Sequence, residues 1–244
     1  MNLKVIGTGS SGNAYLLYNK EEILLLECGV SFKKIKEALN FDFSKVVGCL
    51  LSHEHGDHNK AVKDILSAGI KLYSSQGTLE ASNVLEHHNS NTIQAKKLYQ
   101  IGNFKVIPFD VRHDVKEPLG FLINHKDCGT TLFMTDSFYS PYKFNGLHNL
   151  IIEANFCEDI IDQKLKANKK FLRDRVLKSH LSIQKCIDLL NANDLSQVNN
   201  IVLIHLSDSN SNEVEFQQKV AQATGKNTIV ANNGLDILFN KTPF

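Results

Sequence analysis

The sequence predicts an α/β fold in which two β-sheets are covered by helices. Short strand patterns fill the first quarter, over residues 2–6, 13–18 and 22–27, and the middle, over residues 104–111, 119–123 and 130–135. The last third alternates predicted strands at 150–154 and 201–205 with predicted helices at 157–168, 182–191 and 212–223. Strands that come first and then alternate with helices are typical of sheets with helical cover.

Length and composition favour a single globular domain over residues 1–244. A chain of 244 residues suits one large layered domain better than two small ones. Hydrophobic residues make up 42% and charged residues 22%, so a normal core can be buried. The formal net charge of +1 excludes a protein that coats DNA through bulk positive charge, but it allows a local basic patch.

Several features together predict a soluble, cytoplasmic protein. The first residues form an alternating strand pattern rather than the basic, apolar and small-residue segments of a signal peptide. No run approaches the roughly 20 apolar residues of a membrane span, so no membrane partner is expected. The five cysteines are dispersed and never form a CxxC pair, which favours free thiols in a reducing compartment.

The most informative segment is a loop rich in histidine. A short buried strand over 46–51 leads into His53-x-His55-x-Asp57-His58, and a helix is predicted over 59–67. Three imidazoles and one carboxylate are ligand types that divalent metals prefer. A solvated His-rich loop is the alternative. Four such side chains directly after an apolar strand favour a metal site.

Three further residues whose side chains can bind a metal ion follow apolar strands. His113, Asp136 and His205 each come at or just after the end of a strand pattern. A rigid sheet can thereby hold a polar group in a cleft at its edge. Taken singly, each could be a surface histidine or a turn aspartate. Together they supply the ligands that a two-metal site needs beyond the histidine loop.

These motifs, in this order, resemble the five ligand motifs of the metallo-β-lactamase superfamily. The resemblance covers about residues 5–235 and implies an αββα sandwich of two mixed sheets flanked by helices, with the site along one edge. It implies two divalent metal ions, Zn²⁺ or Mn²⁺, with Fe²⁺ also compatible. The implied ligands are His53, His55 and His113 for the first ion and Asp57, His58 and His205 for the second, with Asp136 bridging.

Metals in such a centre would activate a water for hydrolysis, and Asp57 could orient or deprotonate that water. One position departs from the family pattern, which usually has Asp at the end of the third strand where this chain has Glu27. We expect Glu27 to support the histidine loop from a buried position.

Gly7-x-Gly9-x-x-Gly12 follows a strand and mimics a dinucleotide-binding fingerprint. A strand pattern rather than a helix follows it, so we predict a tight hairpin there.

Two more motifs favour a phosphodiester substrate. Glu153-Ala154-Asn155-Phe156 and Ser179-His180-Leu181-Ser182 resemble motifs of RNase Z-like nucleases. In those enzymes the Glu and His form a pair that can protonate the leaving oxygen, which implies catalytic roles for Glu153 and His180. The alternative is an unrelated strand-end glutamate and loop histidine.

A basic segment precedes His180 and contains a single acid, Asp174. Its cations are Lys164, Lys166, Lys169, Lys170, Arg173, Arg175 and Lys178. A solvated helix face and a set of phosphate contacts are both open interpretations. Ser182 opens the next predicted helix, whose free backbone N–H groups suit a phosphate. The predicted substrate contacts are Lys169, Lys170, Arg173, Arg175 and Ser182.

Finer sequence features resemble the YycJ/WalJ-type exonuclease subfamily. They are Gly9-Ser10-Ser11-Gly12-Asn13, His205-Leu206-Ser207 followed by Asn210, and His180-Leu181-Ser182. This resemblance implies a 5′ exonuclease acting on DNA. The subfamily commonly has Glu-Ser-Asn-His where this chain has Glu153-Ala154-Asn155-Phe156. DNA is favoured over RNA because no insertion resembles the arm with which RNase Z grips transfer RNA.

Two other function classes stay open. The same metals could hydrolyse small esters, thioesters or cyclic phosphodiesters, since the fold alone does not determine the substrate. A metal-stabilised binding module without catalysis is the third possibility, although such a module has no need of an open two-metal centre.

Overall fold

The computed structural model describes residues 1–164 and 170–243. Within them, strands pair into two seven-stranded sheets. The first sheet has the order β14-β1-β2-β3-β4-β5-β6. Its strands are β1 (Asn2–Gly7), β2 (Ala14–Tyr18), β3 (Ile23–Leu26), β4 (Val46–Leu50), β5 (Leu72–Ser74), β6 (Ser90–Thr92) and β14 (Asp236–Leu238). Pairing from β14 to β3 is antiparallel and from β3 to β6 parallel, so this sheet is mixed.

The second sheet is also mixed and has the order β13-β12-β11-β10-β9-β8-β7. Its strands are β7 (Tyr99–Ile101), β8 (Phe104–Asp110), β9 (Leu119–His125), β10 (Gly129–Met134), β11 (Leu147–Glu153), β12 (Asn200–Ile204) and β13 (Asn227–Val230). Strands β10 to β13 are parallel, whereas β7 to β10 pair antiparallel.

Helices cover the outer face of each sheet. The helices of the first half are α1 (Phe32–Ala38), α2 (Gly56–Asn59), α3 (Val62–Ser67) and α4 (Gln76–Ala81). Those of the second half are α5 (Glu158–Lys164), α6 (Lys170–Ser179), α7 (Ile183–Asn191) and α8 (Glu213–Thr224). Residues of α1, α3 and α4 share a core with the first sheet, and residues of α7 and α8 share one with the second. The predicted αββα sandwich is therefore confirmed.

A third apolar core lies between the sheets and explains the run of leucines in β3. Leu24 and Leu26 belong to the core between the sheets, while Leu25 packs on the helix side of the first sheet. Successive side chains of a strand point to opposite faces, so a central strand covered on both faces needs apolar residues throughout.

The structure differs from the sequence prediction where elements are short or polar. The helix predicted over 59–67 is two helices, and it begins earlier, at Gly56. Strands β5, β6 and β7 and helix α4 lack a predictive pattern; β6 consists of Ser90, Asn91 and Thr92. Of the helix predicted over 157–168, α5 accounts for the part up to Lys164, and residues 165–169 lie outside the described residues.

Parallel pairing brings several strand ends to one edge of the sandwich. The carboxyl ends of β10, β11 and β12 lie side by side, as do those of β3 and β4. Three residues that follow these ends have left-handed backbone: Glu27 (φ 62°), Asp136 (φ 45°) and His205 (φ 55°). Non-glycine residues rarely adopt this conformation, which costs on the order of 1 kcal/mol or more and is concentrated at functional sites.

The glycine-rich segment after β1 is a hairpin loop, as predicted, and it supports the histidine loop. Asn13 N–H donates to the Asp57 carbonyl at 2.8 Å, and Gly29 N–H donates to the Asn13 carbonyl at 2.8 Å. A Cβ atom at Gly29 would overlap the Asp57 carbonyl oxygen. Glycine is therefore required for the backbones to approach this closely.

Within the described residues, membrane-crossing helices are absent, because none combines sufficient length with sufficient apolarity.

Replacing Gly29 with alanine tests this backbone contact. The new methyl group would force Gly29 and Asp57 apart, so Gly29→Ala should lower the free energy of unfolding by roughly 2–3 kcal/mol in urea titrations. Gly56 is the matched control, because a Cβ atom there would have no neighbour within 4 Å. Gly56→Ala should unfold near the wild-type midpoint, and a wild-type midpoint for Gly29→Ala would contradict the assigned contact.

Candidate metal centre

The histidine loop leaves β4 and turns into α2 at the edge of the sandwich. His53 and His58 are buried, and Asp57 lies in the first turn of α2. The rings of His53 and His58 are 4.2 Å apart between centroids, and those of His53 and His55 are 4.9 Å apart. The loop thus brings its predicted ligand residues into one cluster.

His53, His55, His113 and Asp136 form a first group of possible ligands, with one nitrogen or oxygen from each within 4.8 Å of the others. His53 Nε2 lies 3.4 Å and His113 Nε2 3.6 Å from Asp136 Oδ2. His113 Nε2 also lies 3.1 Å from His55 Nδ1. His113 comes from the loop after β8 and Asp136 from the loop after β10. The second sheet therefore contributes two residues to this group, and the histidine loop of the first sheet contributes the other two.

Asp57, His58 and His205 form a second group of possible ligands. The Asp57 Oδ2 atom lies 3.3 Å from His58 Nε2 and 3.2 Å from His205 Nε2. Asp136 reaches this group too, because its Oδ2 is 3.3 Å from His58 Nε2 and its Oδ1 is 2.7 Å from His205 Nδ1. The Asp136 carboxylate therefore lies between the two groups.

The protonation pattern of the first group suits a metal cation. His113 Nδ1 is 2.9 Å from the Ser179 carbonyl, which only accepts, so Nδ1 carries the proton and Nε2 turns a lone pair into the cluster. His53 Nδ1 contacts the Ser52 hydroxyl at 2.8 Å, while its Nε2 is buried without a hydrogen-bond partner. Burial lowers the pKa of both His53 and His113, which favours the neutral form that binds metal.

The histidines of the second group are surrounded by more carboxylates, because Glu27, Asp136 and Glu153 approach them in addition to Asp57. Burial is the largest single effect and opposes protonation of His58 and His205, but the surrounding carboxylates, Asp136 first among them, together outweigh it and raise the pKa of each histidine. Without a metal ion, protons on these rings therefore balance the buried carboxylates. A divalent cation can supply the same compensation and displace those protons. The donor set as a whole fits divalent metal binding.

Glu27 supports the loop as predicted. It is fully buried, its Oε1 accepts from Ser52 N–H at 3.1 Å, and its Oε2 faces His58 Nδ1 at 3.4 Å. Asn13 has a supporting role that the sequence alone does not reveal. Its side-chain nitrogen lies 3.4 Å from Asp57 Oδ2 and 3.3 Å from His58 Nε2. The one sequence signal at Asn13 is its place in a motif that resembles the YycJ/WalJ-type subfamily.

Glu153 and His180 are paired beside the metal cluster. Glu153 Oε1 lies 2.7 Å from His180 Nδ1 and 3.0 Å from His205 Nδ1. Its Oε2 accepts from the backbone N–H groups of Leu181 at 3.0 Å and Ser137 at 3.3 Å. The carboxylate is buried, and burial is the largest single effect and opposes ionisation; the charge of His180 and the hydrogen bonds from His180 and His205 together outweigh it and lower the pKa of Glu153. The same pairing raises the pKa of His180 against the effect of burial.

A cavity of about 390 Å³ opens onto residues of both groups and onto His180. The predicted site residues that line it are His55, Asp57, His113, Asp136, His180 and His205. The opposite wall contains Ser10, Ser207 and Asn210, which belong to the motifs that resemble the YycJ/WalJ-type subfamily. A substrate in this cavity can therefore contact the metal cluster, Asp57 and His180 together.

The basic segment reaches the site through helix α6. Val176 lines the cavity, and the carbonyl at the end of this helix, that of Ser179, accepts from His113. Lys169 lies outside the described residues, and so do the side chains of Lys170, Arg173 and Arg175. Their predicted contacts with a substrate stay predictions.

Ser182 has a structural role at the start of helix α7. It is fully buried, and its hydroxyl accepts from Lys185 N–H at 3.3 Å as the N-cap of α7. The Ile183 N–H is also occupied, because it donates to the Phe156 carbonyl at 2.8 Å. Capping and pairing with the segment after β11 use these groups, and the expected substrate contact through Ser182 stays a prediction.

Known proteins with this architecture identify the fold. No family model matches the sequence. The metallo-β-lactamase fold protein YhfI from Bacillus subtilis superposes with a TM-score of 0.76 at 17% identity, covering 97% of this chain and 98% of YhfI. The chain therefore has the metallo-β-lactamase fold, and its His/Asp cluster has the donor groups of a divalent metal site.

Two bacterial exodeoxyribonucleases are similar to this chain in sequence. Exodeoxyribonuclease WalJ of Streptococcus pneumoniae serotype 2 is 27% identical over 223 residues, covering 85% of this chain and 82% of WalJ. Exodeoxyribonuclease YycJ of Bacillus anthracis is 28% identical over 159 residues, covering 60% of this chain and 58% of YycJ. The predicted resemblance to the YycJ/WalJ-type subfamily is confirmed.

Asp136→Asn tests the carboxylate between the two ligand groups. Asparagine tolerates left-handed backbone, so the fold should persist while metal binding loses its shared anionic ligand. We expect Mn²⁺ affinity, measured by isothermal titration calorimetry of metal-stripped protein, to fall by at least about tenfold. The exposed Asp194→Asn variant should bind like wild type. Unchanged affinity in Asp136→Asn would exclude Asp136 as a ligand.

Proposed function

We propose that this protein is a dinuclear metal-dependent nuclease that removes nucleotides from the 5′ end of DNA. The observation that carries the proposal is the Glu153–His180 pair, which lies beside two groups of metal-ligand side chains in one open cavity. Such an arrangement combines metal activation of water with a proton donor for an alkoxide leaving group. The names of the relatives WalJ and YycJ, both exodeoxyribonucleases, support the choice of DNA.

The proposed metal ligands follow the two groups of side chains. His53, His55 and His113 would hold one ion, and Asp57, His58 and His205 the other, with Asp136 between them. Zn²⁺ and Mn²⁺ both suit histidine nitrogen and carboxylate oxygen. When bound, two such ions lower the pKa of a water molecule and neutralise charge on a phosphodiester.

Asp57 has the position of a residue that orients the attacking water. Its side chain is 25% exposed and lines the cavity, whereas the other acidic groups of the cluster, Asp136 and Glu153, are almost fully buried. Burial alone would raise the pKa of Asp57, but hydrogen bonds from His205 and His58 outweigh it and keep the pKa below its usual value. The carboxylate is thus ionised at neutral pH and able to accept a hydrogen bond from water.

His180 is the proposed general acid. Its Nδ1–H donates to Glu153, which fixes the ring and stabilises its protonated form, and the ring lines the cavity with 21% of its side chain exposed. Protonation of the leaving oxygen matters most when that oxygen belongs to a sugar alcohol, because an alkoxide is a poor leaving group.

The cysteines support a reducing compartment, in line with the predicted cytoplasmic location. All five cysteines are buried and have free thiols. A protein of an oxidising compartment would more often pair them. We also propose that residues 1–244 act as one domain.

His180→Ala tests the general acid. We expect kcat on oligonucleotides to fall by about 10²–10⁴-fold, with a much smaller loss on bis-p-nitrophenyl phosphate, whose leaving group needs no proton. The control is His88→Ala, an exposed histidine that stacks on His87 outside the cavity. Equal losses on both substrates would argue for a role of His180 in the metal centre instead.

The nuclease itself is tested with end-labelled strands and the Mn²⁺-reconstituted protein. The strands are 5′-phosphorylated duplex DNA, single-stranded DNA and RNA, and Asp57→Ala is the inactive control. We expect stepwise loss of nucleotides from the 5′ end of DNA, with a rate at least about 100-fold lower in Asp57→Ala. A metal-loaded protein that cleaves none of the strands but hydrolyses small esters or thioesters would refute the nuclease.

A further inference from the structure

A second cavity lies beside the catalytic one. It has a volume of about 300 Å³ and a mostly apolar lining. Its principal lining residues are Tyr139, Tyr142, Lys143, Leu181, Lys185 and Leu189. Tyr139 is 54% exposed, although the ring of a tyrosine is largely apolar. We call this cavity the Tyr139 pocket.

The Tyr139 pocket is built on two chain segments that continue from residues lining the catalytic cavity, Asp136 and His180. One wall is the loop that follows Asp136, where the Ser137 hydroxyl donates to the Tyr139 carbonyl at 2.9 Å. The other wall begins at Leu181, directly after His180. Glu153 holds both walls, because its Oε2 accepts from Ser137 N–H and Leu181 N–H. A group in the pocket is therefore fixed relative to the proposed general acid.

Lysine side chains lie next to aromatic rings in and around the Tyr139 pocket. Lys185 Nζ lies 5.7 Å from the centroid of the Phe138 ring, and Lys96 Nζ lies 5.9 Å from that of Tyr142. Lys143 is exposed at the rim. The acid of the pocket, Asp188, already accepts from the Gln184 side chain at 2.9 Å. Exposed aromatic rings interleaved with lysines are typical of surfaces that bind single-stranded nucleic acid.

We propose that the Tyr139 pocket receives the nucleobase of a nucleotide next to the scissile phosphate, stacked on Tyr139. Lys143 and Lys185 then face the phosphates that flank this base. The inference rests on the proposed nuclease function and adds to it that the substrate end enters unpaired. A base held in the pocket cannot remain paired with a complementary strand, so an unpaired end is the preferred substrate.

The experiment removes the base from the substrate and the ring from the protein. The substrates are 5′-phosphorylated single strands with normal nucleotides or with tetrahydrofuran abasic residues at the first two positions. The proteins, all Mn²⁺-loaded, are wild type, Tyr139→Ala and Tyr139→Phe. Phe41→Ala is the matched control, since Phe41 is another exposed aromatic residue, 66% exposed, outside both cavities.

For wild type we expect abasic residues to lower kcat/KM by about tenfold, the usual scale of one base–aromatic stack. Tyr139→Ala should lose a similar factor on the normal strand and show no further loss on the abasic strand. Tyr139→Phe and Phe41→Ala should respond to abasic residues as wild type does. A ring with a purely structural role would instead lower kcat/KM on both strands equally.

Two contrary outcomes separate the two proposals. If wild type cleaves both strands equally well, or if Tyr139→Ala loses the same factor on each, the pocket does not bind a base and the nuclease stands. If wild type cleaves no strand at all, the nuclease and the pocket fall together. Tyr139 is exposed, so its substitutions leave the buried core intact.

Discussion

Asp136 joins the two halves of the molecule through one buried carboxylate. Its oxygens lie 3.4 Å from His53 and 3.3 Å from His58, which come from the first sheet, and 2.7 Å from His205, which comes from the second. An isolated carboxylate at this depth would be strongly destabilising, so the histidines or a bound cation must compensate its charge. Asp136 thereby holds histidines from both sheets against one another at the edge of the sandwich.

The edge of the sandwich is adapted to this contact at a local cost in backbone energy. Glu27, Asp136 and His205 each leave a strand with a left-handed conformation that side chains disfavour. The turn lets a buried strand end in a polar group: Asp136 and His205 line the cavity, and Glu27 supports His58 from behind it. Hydrogen bonds hold these turns: Glu27 accepts from Ser52 N–H, and His205 N–H donates to the Thr8 hydroxyl at 3.0 Å.

The sequence predicted the elements and residues that have strong local patterns. A long apolar strand followed by a possible metal ligand, such as β10 before Asp136, can be recognised from the sequence because the strand and the ligand are adjacent in it. The support from Asn13 could not be predicted, since it depends on the packing of a hairpin loop against Asp57 from 44 positions away. The buried N-cap role of Ser182 could not be predicted either, because a serine before a helix has the same pattern whether its cap is buried or open to a ligand.

The order in which the ligands occur along the chain has a consequence for biosynthesis. The first residue of the cluster is His53, and the last, His205, lies beyond four-fifths of the sequence. During translation the early histidines emerge long before their partners, when the second sheet does not yet exist to hold them. Metal loading of the complete centre must therefore wait until His205 has left the ribosome and the second sheet has formed, so the histidine loop alone does not make the site.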